Sequence, residues 1–130
     1  MAAIKKIPDA EFCIMNAVWQ LEPPVTSGML LDMLNKDAKK VWKLQTIHTL
    51  LGRLINRGFL KTEKKGKERL FTPLMERDEY LQFETENFMK QYHGDSLIHL
   101  VNTMYHGEKI SDEDITELVE WANKQREGEK

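Results

Sequence analysis

Residues 44 to 73, LQTIHTLLGRLINRGFLKTEKKGKERLFTP, change their apolar pattern at one glycine, and that change leaves few architectures open. Ile47, Leu50, Leu51, Leu54 and Ile55 recur at intervals of three and four, the spacing of one buried helix face, and Gly58 stands where such a helix stops. Beyond it, Phe59, Leu60 and Thr62 lead into Glu63-Lys64-Lys65-Gly66-Lys67-Glu68, and Leu70, Phe71 and Thr72 lead out before Pro73. Two short strands joined by a glycine-containing turn fit this run, with Pro73 ending the second strand or holding it at an edge.

Two helical patterns precede this stretch. Pro8-Asp9 introduces Phe12, Met15, Val18 and Trp19 on one face, with Asp9 as N-cap and an end by Glu22, ahead of Pro23-Pro24. Thr26 or Ser27 then caps a helix carrying Met29, Leu30, Met33 and Leu34, which runs out near Asn35-Lys36-Asp37. Three helices followed by a basic hairpin is the order of a winged helix-turn-helix, in a chain that is otherwise mainly α.

Charge divides the chain at the same proline. Residues 1–73 hold 13 Lys and Arg against 7 Asp and Glu, a formal +6, and residues 74–130 hold 6 against 14, a formal −8. A polyanion attracts the first half and repels the second. At 130 residues the chain can bury one core and carry an appended element. The expected organisation is therefore a winged-helix DNA-binding domain over 1–73 and a helical dimerisation domain over 74–130.

With its apolar stripe inward, the third helix turns Gln45, Thr49, Gly52 and Asn56 outward, flanked by Thr46, His48 and Arg53. Slim amide and hydroxyl groups suit base edges in the major groove, and Arg suits guanine or phosphate. No acidic residue falls between Trp42 and Arg57 to repel the phosphates. The candidate DNA-binding residues are Gln45, Thr46, His48, Thr49 and Arg53 on the helix, Lys43 just ahead of it, and Lys64, Lys65, Lys67 and Arg69 in the hairpin, where a projecting loop sets cations along a backbone. The competing expectation is a winged-helix protein-interaction module without specific DNA binding, which has no need of a cationic wing.

In the acidic half, Tyr80, Leu81, Phe83, Phe88 and Met89 predict a helix ending near His93-Gly94, and Leu97, Ile98, Leu100, Val101 and Met104 a second ending near Gly107. Ser111-Asp112-Glu113-Asp114 opens a third with Ile115, Leu118, Val119 and Trp121 as its stripe. Three short helices are too little for a core of their own. A second copy of the chain would cover them, with Leu81, Phe88, Leu97, Leu100, Val101, Ile115, Leu118 and Trp121 as the expected dimerisation residues, the alternative being that they fold back on the winged domain of the same chain.

Other classes find little support. Cys13 has no partner for a disulfide or a cysteine-based metal site, which fits a reducing cytoplasm, and no stretch approaches a membrane span. His48, His93, His99 and His106 stand in no metalloprotease or hydrolase motif, and no phosphate-cradling glycine loop occurs. The expectation is no catalysis, no metal and no cofactor.

The segments DAEFCIMNAVW and TIHTLLGRLINRGFL, the lysine-rich hairpin and the acidic helices together resemble the penicillinase-repressor family of winged-helix transcriptional repressors, which includes β-lactamase, methicillin-resistance and copper-responsive repressors. The resemblance runs from about Ile7 to Trp121 and is densest at Trp42, Thr46, Thr49, Leu50, Leu51, Arg53, Leu54, Arg57 and Gly58. It implies a cytoplasmic homodimer whose third helix reads double-stranded operator DNA, and a membrane sensor-protease pathway that releases it by cutting in the dimerisation region. The chain departs from the family in having Lys43-Leu44 where relatives often have Ser-Pro, and Gln45 and His48 where many carry Lys or Arg. It also lacks the cysteine-rich tail of copper-responsive members, and its Asn87-Phe88 bond lies a helix before the stretch that aligns with the relatives' cleavage site.

Overall fold

The apolar spacings produce helices where they are expected. A computed structural model describes residues 4–36 and 41–128, in the order α1 (Asp9–Gln20), α2 (Ser27–Leu34), α3 (Leu44–Asn56), β1 (Leu60–Lys65), β2 (Glu68–Pro73), α4 (Arg77–His93), α5 (Leu97–His106) and α6 (Asp112–Gly128). The N-terminal part is a winged helix-turn-helix, followed by helices alone.

Local chemistry sets most boundaries. Thr26 is the N-cap of α2, its hydroxyl accepting from the Met29 N–H. Asp9 is not the cap of α1. Pro8 takes that place in an extended conformation and its carbonyl accepts from Phe12, so Asp9 sits in the first turn, where its charge still complements the helix dipole. α2 stops at Leu34, and the segment from Asp37 to Lys40, part of the expected basic connection, lies outside the described residues. At the end of α3, Gly58 has φ +85°, and paired bonds from Phe59 N–H to Leu54 O and from Gly58 N–H to Ile55 O close the helix in a Schellman turn.

The strands pair antiparallel, with Leu60 opposite Pro73, Thr62 opposite Phe71, Lys64 opposite Arg69 and Lys65 opposite Glu68. Gly66, at φ +65°, begins the two-residue loop between them, where only glycine takes a left-handed backbone freely. A third segment joins this sheet. Val25 exchanges both backbone hydrogen bonds with Phe71, each 2.8 Å long.

Ile14, Met15 and Val18 of α1, Leu30 of α2, Ile47, Leu50, Leu51 and Leu54 of α3, Phe59, Leu60, Phe71 and Tyr80 form one buried core, with Ile55 packed against it half-buried. Tyr80 moves the expected boundary. Its ring lies 5.6–5.9 Å from those of Phe12, Trp19 and Phe59, and its hydroxyl accepts from the Ile7 N–H at 3.0 Å. The N-terminal compact unit accordingly runs to Glu84, not Pro73, and the division falls inside α4. Glu11, 1% exposed, is the one buried charged residue among those described, and it accepts from Arg57 Nε at 2.7 Å.

In the C-terminal unit, Ser111 and Asp114 cap α6 reciprocally, the Ser111 hydroxyl accepting from Asp114 N–H and the Asp114 carboxylate from Ser111 N–H. Neither α5 nor α6 contains a buried residue.

Candidate nucleic-acid interface

The start of α3 is fixed from outside the helix. The Asn35 side chain brackets the peptide of Trp42, its Oδ1 accepting from Trp42 N–H at 2.7 Å and its Nδ2 donating to Trp42 O at 3.1 Å. With Trp42 buried and anchored, α3 begins at Leu44 with Lys43 as an N-cap whose side chain makes no capping bond. The first-turn N–H groups lack a side-chain acceptor, beside the exposed Lys43. The sequence pattern missed Asn35, whose role depends on a contact across the loop.

The far end of α3 is held by charge. Arg57, its C-cap residue, reaches back to the buried carboxylate of Glu11 of α1, so this cation is tied to the core while its side chain stays 37% exposed. Glu11 was invisible in the sequence because an acid next to an apolar stripe reads as surface, and its partner lies 46 residues away.

Between these anchors Ile47, Leu50, Leu51 and Leu54 are buried, and Gln45, Thr46, His48, Thr49 and Arg53 are exposed. The Thr49 hydroxyl donates to Gln45 O at 3.0 Å, which leaves Thr49 its oxygen lone pairs and methyl group for an outside contact.

Strand register sorts the hairpin cations, all four of which are exposed. Lys64 and Arg69 are direct cross-strand partners on the face that carries Leu60, Thr62 and Phe71. Lys65 lies on the opposite face with Glu68 across from it, and Lys67 is in the loop. Arg69 and Thr62 share a largely apolar cavity of about 420 Å³ with His48, Leu51, Gly52 and Ile55, so wing and α3 flank one cleft. The eight candidates other than Lys65 and Lys67 thus belong to α3, its leading residue or the α3-facing side of the wing.

A profile of the penicillinase repressor family matches residues 7–124. The chain belongs to the penicillinase repressor family. The penicillinase repressor of Bacillus licheniformis is 28% identical over 120 residues, covering 92% of this chain and 91% of its own. The methicillin resistance regulatory protein MecI of Staphylococcus aureus is 26% identical over 119 residues, covering 92% and 94%. The solution structure of the DNA binding domain of the repressor BlaI superposes with a TM-score of 0.50 at 31% identity, covering 62% of this chain and 94% of that one. Penicillinase repressors are winged-helix DNA-binding regulators, not enzymes.

Of the expected dimerisation residues, Leu81 is half-buried and lies within the N-terminal unit. Leu100 and Val101 are half-buried, and Phe88, Leu97, Ile115, Leu118 and Trp121 are exposed. Among the described residues no helix is long and apolar enough to cross a membrane, and no group of three or more His, Cys, Asp or Glu side chains could hold a metal ion.

Proposed function

We propose that this chain is a cytoplasmic transcriptional repressor that binds a palindromic operator as a homodimer, with α3 in the major groove and the hairpin against the phosphate backbone. The observation that carries the reading is the Lys64–Arg69 pair. Like charges directly opposite on a two-stranded ribbon oppose folding, and a polyanion on that side relieves the repulsion. Gln45 and Thr46 offer groups for base edges, Arg53 reaches guanine or phosphate, and the uncapped first turn with Lys43 suits a phosphate oxygen. His48 and Arg69 bound the cleft between helix and wing, and Lys67, at the tip, joins the backbone contacts. Lys65 serves the general field more than a particular phosphate.

The apolar stripes of α5 and α6 support pairing with a second copy, because neither helix contains a buried residue. Release is proposed to act on these helices; the family resemblance suggests a membrane sensor-protease pathway, but the Asn-Phe cut of relatives does not carry over to Asn87-Phe88. No cofactor enters this reading. Gel retardation with DNA flanking the chain's own gene, at several salt concentrations, tests it. A specific complex that weakens steeply with salt is the expected result, since phosphate contacts release counterions. Absence of any specific complex would favour a protein-interaction module.

A further inference from the structure

The corner between α4 and α5 brings together two histidines that the DNA-binding reading does not use. His93 closes the last turn of α4 and His99 lies in the first turn of α5, and their Nδ1 atoms are 2.7 Å apart with ring centroids at 5.0 Å. The backbone holds both in place through Ser96, whose N–H donates to His93 O at 2.9 Å and whose hydroxyl accepts from His99 N–H at 3.1 Å. The pair therefore belongs to a hydrogen-bonded corner and not to two free side chains.

We infer that His93 and His99 form a two-nitrogen site for a divalent transition-metal ion. Two imidazole nitrogens bound at about 2.0–2.1 Å to one ion lie about 2.9 Å apart at right angles and about 3.3 Å apart in a tetrahedron. The observed spacing is closer to the first, which suits an ion of square-planar or octahedral habit such as Ni²⁺ or Cu²⁺. At 2.7 Å one ring donates its Nδ1 proton to the other. Binding turns both rings about their Cβ–Cγ bonds until the two lone pairs converge, and the donor ring moves its proton to Nε2, so neutral rings release no net proton. Water completes the coordination, because the chain offers no third converging donor among the described residues. The ion would pin the end of α4 to the start of α5.

Titrating the full chain with Ni²⁺ at neutral pH tests this. One ion per chain is expected, with paramagnetic broadening centred on residues 93–99. His93→Gln and His99→Gln should each weaken binding at least about tenfold, the smallest loss typical even for an outer-shell partner of a metal ligand. His106→Gln, seven residues and about 10 Å along α5 from His99, should leave binding unchanged. No saturable binding at millimolar Ni²⁺, or equal losses in all three variants, would overturn the site and leave the corner a hydrogen bond only.

Discussion

The two compact units carry the same kind of sequence signal and use it differently. Apolar residues at helical spacing occur in both α3 and α6, yet Ile47 and Leu54 are fully buried, while Trp121 is 59% exposed and, on α5, Leu97 and Ile98 are 62% and 66% exposed. In the first unit α1, α2 and the sheet supply the cover for α3. In the second the stripes outnumber the surfaces able to cover them. A stripe thus predicts that burial is wanted but not whether the chain or a partner provides it. On the proposed reading the first unit is stable alone and the second gains most from association.

The largest test of that contrast separates the units. A chain ending at Glu84 keeps Tyr80 and should fold and bind DNA weakly, but lose on the order of 10²–10⁴ in affinity for a palindromic operator, because the second reading head no longer sits at high effective concentration. Equal operator affinity for the short and full chains would break the division of labour. A chain ending at Pro73 should fail to fold stably, because it lacks Tyr80.

Tyr80 sharpens the boundary between the units. Tyr80→Ala should cost about 3–5 kcal/mol in denaturant unfolding, and Tyr80→Phe about 1–3 kcal/mol for the orphaned Ile7 N–H. Burial pushes its hydroxyl above the ordinary value of 10.0, against the opposing hydrogen bond from Ile7. The unfolded chain ionises first, so stability from this group is complete below about pH 10 and falls as pH rises through the folded value. Tyr80→Phe should flatten that alkaline loss.

Arg57→Ala should destabilise the N-terminal unit by about 2–3 kcal/mol, less than the loss of a fully buried partner because the Arg57 side chain keeps water contact. The same change on the C-terminal unit's exposed Arg126 should alter stability by less than about 0.5 kcal/mol. Thermal melts of the two variants decide between a buried ion pair and an ordinary surface cation.

At the interface the expected effects are smaller and differ in kind. Gln45→Ala should relax discrimination at one base pair by about 1–3 kcal/mol, and Lys64→Ala should weaken all sequences alike and lower the salt slope by about one. Lys65→Ala, on the other face of the hairpin, should change the slope less than Lys64→Ala does. Binding measured over a salt series on matched and mismatched sites checks all three.

Much of this was legible in the residues. The spacing from Ile47 to Leu54 located α3 and its polar face, Gly66 located the turn, and Ser111 the start of α6, because each depends on neighbours in sequence. What escaped depends on distant contacts. Glu11 and Arg57 meet across the unit, Val25 joins the sheet as a single residue after two prolines, and Tyr80 belongs to the first core although charge and Pro73 point to an earlier division. The hairpin cations looked equivalent until register placed Lys64 with Arg69 and Lys65 with Glu68.

Footprinting the full chain on DNA flanking its gene, with sedimentation at the same concentration, tests reading and pairing together. The account predicts a dimer protecting two inverted half-sites about 34–36 Å apart centre to centre, or a multiple of that distance. A monomer protecting a single asymmetric site would contradict it.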